Sequence, residues 1–201
     1  RLPLFVSASH LSIAMIFFSL LVYIACRICY GPKINQAASY SRGWLVAAMI
    51  IVYVQIVLGA LVRHTGAGLA CNIDIFLCDG VLWPEAGPAM LHMLHRFWGV
   101  LCALVVGKAA WDGIKLGAEH KSPRLQLVSL TLVGLVFLQI ALGLLTVMTY
   151  IAVPPVTAHL GGAALLLVAL LSTYLCGPFW LEHSVTEAGE QQHLQTATVG
   201  T

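Results

Sequence analysis

The sequence predicts an all-α integral membrane protein: a four-helix transmembrane bundle with one further transmembrane helix before it. Two observations carry this. Of 201 residues, 60% are apolar and only 9% charged, with a mean hydropathy of +0.92; a soluble domain carries about 25% charged residues. Five stretches are also near or above the length needed to cross about 30 Å of hydrocarbon, at residues 4–26, 43–62, 89–106, 125–150 and 156–175. The first, second, fourth and fifth contain no Asp, Glu, Lys or Arg, and the third contains only Arg96.

The first span has no charged flank of the signal-peptide kind and is too long for one. With Arg rather than Met at position 1, the expectation is a chain that begins inside a longer protein. The segment between the first two spans holds Arg27, Lys33 and Arg42, and that between the third and fourth holds Lys108, Lys115, Lys121 and Arg124. The opposite side offers only Arg1 and Arg63. By the positive-inside rule the first two groups face the cytoplasm. The loop after the second span and the short turn around Pro154 and Pro155 then face outward. The polar segment 182–201 lacks Lys and Arg and reads as a disordered cytoplasmic tail. The net charge of +2 comes from these flanks, not from a basic patch, so no nucleic-acid partner is expected.

The spans repeat. Gln55–Leu61 and Gln139–Leu145 both read Gln-Ile-x-Leu-Gly-x-Leu. The first span carries "VSASHLSIAM" and the fifth "VTAHLGGAAL", each with a His-Leu pair near its start and Ala four residues after the histidine (Ala14, Ala163). The pattern is a hairpin of a glutamine helix followed by a histidine helix. Spans two to five then make one bundle (43–176), and the first (1–30) is the last helix of an incomplete one. Gln55 and Gln139 read as interhelical hydrogen-bonding residues, with contact to a quinone as the alternative.

At 1.5 Å per residue, His10 lies about 10 Å beyond Pro3, His95 about 9 Å into the third span, and His159 about 6 Å beyond Pro155. All three sit at similar depth toward the outward side. Ionisable residues in such places are costly and usually have a task. His92, His95, Arg96 and Gly99 share an arc of about 100° on their helix. The residue four after each deep histidine is small (Ala14, Gly99, Ala163). That leaves room for a flat macrocycle against the helix, or else merely lets helices approach closely. Two histidines on two helices of one bundle point to the axial pair of a b-type heme, His95 and His159, since neutral imidazole suits iron and bundle cores take cofactors. Zinc would ask for more converging ligands. Arg96 and Arg63 could pair with heme propionates, or snorkel to the headgroups.

Cys71 and Cys78 lie in the outward loop. Their spacing is too wide for a Cys-x-x-Cys redox motif. A structural disulfide over the outer face is the first reading, and a redox-active pair the second. Cys26, Cys29, Cys102 and Cys176 read as small apolar residues.

Four ordered blocks, "LGALVRHTGAGLAC" followed by a second Cys, "HMLHRFWG", "LQIALGLLTV" and "VTAHLGGA", together resemble the heme A synthase family of bacterial and mitochondrial respiration. The resemblance implies eight helices in two similar bundles, each with one histidine in a His-Arg dipeptide and one on its fourth helix. It places His95 and His159 as ligands of the second bundle's heme b. His10 falls on the side of the substrate, heme O, and Cys71 and Cys78 match the paired loop cysteines. The implied activity is oxidation of the C8 methyl of heme O to a formyl group, giving heme A for cytochrome oxidase, in the bacterial plasma membrane or the mitochondrial inner membrane. The implied partners are heme O, membrane lipid, an electron donor, and a missing N-terminal bundle or another subunit. The family's catalytic glutamate lies three residues before the first bundle's His-Arg histidine. The matching position here is His92, so no catalytic residue is assigned. The rival readings are a b-type cytochrome subunit that only moves electrons, and a membrane thiol–disulfide oxidoreductase built on Cys71 and Cys78.

Overall fold

In the computed structural model, residues 3–31, 42–72, 74–85 and 87–199 are described, the side chains of 182–183 and 185–199 excepted. Arg1 and Lys33, used above for orientation, lie outside them. Five helices follow in order: α1 Leu4–Tyr30, α2 Gly43–Thr65, α3 Gly87–Glu119, α4 Pro123–Met148 and α5 Val153–Val199, with a 3₁₀ turn at Ala67–Leu69. All five are long and apolar enough to cross a membrane, α5 through its part Val153–Leu181. This is the expected all-α membrane architecture.

Three boundaries differ from expectation, each for a physical reason. α3 does not stop with its apolar run: Lys108 and Lys115 stand on the helix, and the connection to α4 shrinks to residues 120–122. Lys108 pairs with Asp112 one turn on at 2.5 Å and lies 5.5 Å over the Trp44 ring, while Lys115 lies 5.8 Å over Trp111. Pro154 and Pro155 are not the turn but the first turn of α5, where a missing N–H costs nothing. The turn itself is 149–152, with Tyr150 and Ile151 at φ of 52° and 62°. The segment expected to be disordered continues α5 to Val199. Its Glu, Gln, Ala and Leu content favours helix, and it contains no proline.

α2 packs on α3, α3 on α4, α4 on α5, and α5 back on α2, while α1 lies against α5 and α2. The result is a four-helix ring with one flanking helix. Lipid tails are as apolar as leucine, so such helices gain from close packing more than from burial as such. Small residues, Ala48, Ala109 and Ala110, accordingly sit beside the fully buried Leu45, Val106, Leu132 and Leu170 in the main core. Trp98 donates its indole N–H to the Ile51 carbonyl at 2.9 Å, tying α3 to α2. A second cluster at the lysine end joins Cys26 of α1 to Leu125 of α4 and to Leu175, Cys176 and Trp180 of α5. There Ser122 Oγ donates to the Trp180 carbonyl at 3.1 Å. Cys26, Cys102 and Cys176 are buried and unbridged, as expected of small apolar residues, whereas Cys29 is exposed.

Leu170 is fully covered at the centre of this core. Leu170→Ala is expected to cost about 2–5 kcal/mol, read as an earlier midpoint in SDS-driven unfolding monitored by tryptophan fluorescence.

Candidate functional site

The two repeats build two copies of one arrangement. In the α2–α3 hairpin, Gln55 donates its amide N–H to the His95 carbonyl at 3.0 Å and lies 3.5 Å from the imidazole Nε2. In the α4–α5 hairpin, Gln139 donates to the His159 carbonyl at 3.0 Å and to its Nδ1 at 3.2 Å, and accepts from the Ala163 N–H at 3.0 Å. The expected interhelical role of both glutamines is therefore what the side chains perform.

One turn after each glutamine stands a glycine that the sequence reading passed over. A Cβ at Gly59 would lie 3.2 Å from His95 Cε1, and one at Gly143 would lie 3.3 Å from His159 Cε1. Both imidazoles rest edge-on against a bare glycine of the preceding helix. The signal was present, since both glycines belong to the repeated Gln-Ile-x-Leu-Gly. The small residue after His95 serves a different end from the macrocycle bed considered above. A Cβ at Gly99 would stand 3.1 Å from Gln55 Nε2, and one at Gly162 would collide with the Gln139 carboxamide. The neighbour of Gly99 is thus a glutamine from the next helix, so close helix approach is the reading that holds there.

His95 and His159 come from helices two places apart in the ring and lie within electrostatic reach of each other. His10 is exposed on α1, and Arg63 is exposed near the end of α2. The structure does not bring either to the pair.

His92 and Arg96 form the upper part of the site. His92 is 4% exposed, and its Nε2 accepts from Arg96 Nε at 3.3 Å. Arg96 Nη1 donates to the carbonyls of Ile75 at 3.2 Å and Leu77 at 3.4 Å. The guanidinium thus clamps the loop between α2 and α3, a task not foreseen from the His-Arg dipeptide. That loop is a built object. Cys71 and Cys78 form a disulfide with an S–S distance of 2.07 Å, packed on Ala89 and Met93 of α3. Asp79 and Gly80, at φ of 51° and 83°, make the two central residues of a tight turn, the left-handed pairing that an Asp-Gly dipeptide favours. It is closed by Cys78 N to Val81 O at 2.8 Å and Val81 N to Cys78 O at 3.2 Å. Trp83 stacks on Phe97 at 6.0 Å as a second anchor.

A b-type heme fits these residues. It asks for two axial nitrogens, not a cage, and among the described residues no group of three or more His, Cys, Asp or Glu gathers to hold a metal ion. His95 Nδ1 and Gln55 Oε1 are buried without hydrogen-bond partners, which marks the site as one built for something more. The main core begins at Cys102 on α3 and Leu166 on α5, each seven residues, about 10 Å, past its histidine. On α4, no residue from 133 to 148 is buried.

Residues 3–171 match the family described as COX15-CtaA, cytochrome oxidase assembly protein, and the chain belongs to that family. It is similar to the heme A synthase of Caulobacter sp. (strain K31), with 32% identity over 180 residues that take in 79% of this chain and 49% of the relative. The heme A synthase of Rhodospirillum centenum is 30% identical over 180 residues, 83% of this chain and 47% of its own length. That of Shouchella clausii is 32% identical over 150 residues, 73% and 46%. The chain spans about half the length of the curated relatives it matches.

Because they are joined in a disulfide and carry no thiol, Cys71 and Cys78 are expected to resist maleimide until a reductant is added. Cys71→Ser with Cys78→Ser should lower resistance to unfolding by about 2 kcal/mol, the loop-closure value for so short a ring, in the same SDS titration.

Proposed function

We propose that this chain is the cofactor-holding part of a heme A synthase, an oxidoreductase that converts the C8 methyl of heme O to a formyl group, with heme b held between His95 and His159. What supports the reading is that His95 on α3 and His159 on α5 stand at matching places in the two repeated hairpins, each held by its glutamine, in a family whose matched relatives bear that name. When bound, the heme supplies the one-electron chemistry. The chain supplies the setting. His95 and His159 offer neutral ring nitrogens, and the glutamines hold the turns that carry them. Arg96 keeps the disulfide loop seated over the same end of the bundle, where it limits access of water. Arg96 is the cation beside the pair and would serve propionates with donors left over from the loop.

His10 belongs, on this reading, to the heme O side. It is displayed on the open face of α1, for further helices of the enzyme or of another subunit to enclose. The loop of Cys71 and Cys78 faces outward and the lysine-bearing end of α3 faces the cytoplasm, where Lys108, Lys115, Lys121 and Arg124 collect with the rings of Trp44 and Trp111. The buried setting of the disulfide supports a structural rather than a redox task.

Pyridine hemochrome spectra and chromatography of the extracted heme test the proposal. The purified protein is expected to carry heme B in six-coordinate low-spin form, lost in His95→Ala and in His159→Ala. Heme O or heme A extracted alongside supports the synthase, while a full six-coordinate spectrum in either alanine variant overturns the ligand pair.

A further inference from the structure

Glutamine has a carboxamide that can donate and accept at once, and both copies of the repeat place it on the same atom: the carbonyl of the histidine one helix on. At Gln139 both functions of the carboxamide are used. His159 O and Ala163 N, four residues apart, are the two ends of one step of the α5 ladder, and the carboxamide reaches both, at 3.0 Å each. In hydrocarbon a polar side chain must find its partners within the protein, and this one does. At Gln55 the donation to His95 O is made at 3.0 Å, but Gln55 Oε1 and His95 Nδ1 are both left without partners. The first hairpin thus keeps one glutamine acceptor and one imidazole nitrogen open in the buried site, where the second hairpin uses both functions of its carboxamide. Gly59 and Gly143, with the Cε1 edge of each ring against them, remove the side chain that would otherwise set the ring's angle. The angle is left to the carboxamide.

We propose that Gln55 and Gln139 are positioning residues of the histidine pair: each fixes the peptide and the ring plane of the histidine on the next helix, and together they set the relative rotation of the two imidazoles. The proposal rests on the reading that His95 and His159 share a heme. Its test uses the heme-loaded protein and two signals: the largest g-value of the low-spin ferric heme, which follows the mutual angle of the imidazole planes and which loss of general stability does not move, and the rate of heme transfer to apomyoglobin. Gln55→Leu and Gln139→Leu are expected to keep stoichiometric heme, shift that g-value, and speed heme loss at least tenfold. Leu170→Ala, which weakens the core without touching either histidine, should leave the g-value at that of the unaltered protein. If a leucine variant does not fold, Gly59→Ala and Gly143→Ala, which push the same rings by a few tenths of an ångström, are expected to shift the g-value in its place. Glutamine variants with unaltered g-value and heme-loss rate overturn the positioning role while the ligand pair stands. Absence of a bis-histidine spectrum from the unaltered protein overturns the heme reading itself.

Discussion

A polar side chain inside an apolar span has no water to turn to, so its partner must be another part of the protein. That constraint organises this molecule. His95 and His159 can sit where they do because a glutamine from the preceding helix reaches each of them at 3.0 Å from the peptide carbonyl. The reach is short, so the helices must be close, and closeness explains the glycines. Gly59 and Gly143 yield to the rings, Gly99 and Gly162 to the carboxamides. Each hairpin is thus keyed by one glutamine and cleared by two bare backbone positions.

The two ends of the bundle are held by different forces. At the lysine end, apolar side chains interlock and cations lie over aromatic faces, as with Arg42 5.4 Å over Tyr174, contacts worth about 0.5–1 kcal/mol each where exposed. At the loop end the work is done by a disulfide, a tight Asp-Gly turn and the Arg96 clamp. Arg96 is the joint between loop and site, since it follows His95 in the chain and reaches two carbonyls of the loop at the same time. A guanidinium, with its fan of donors, suits that position better than a lysine would.

Much of this was legible in the sequence, and the gaps have a common cause. Hydropathy found all five spans, and the repeated Gln-Ile-x-Leu-Gly and His-Leu blocks found the hairpins. Cysteine context found the disulfide. What composition misplaced were the ends of helices: Lys108 and Lys115 read as loop residues because they are charged, yet Ala, Leu and Lys extend a helix as readily out of the membrane as within it. What periodicity could not give was the angle between one helix and the next. It put Gly99 on the face of His95, but only the packed hairpin reveals that a glutamine fills the space, and that the glycine facing the imidazole comes from α2. Arg96 was read as a working residue beside His95, while its loop partners, backbone carbonyls with no side-chain signature, were invisible.

The main core closes at Cys102 and Leu166, two helical turns short of the histidines. On α3 and α5 the fully buried packing is thus set apart from the histidine level, so these helices can associate through Val106, Leu166 and Leu170 whatever occupies the space beside His95 and His159.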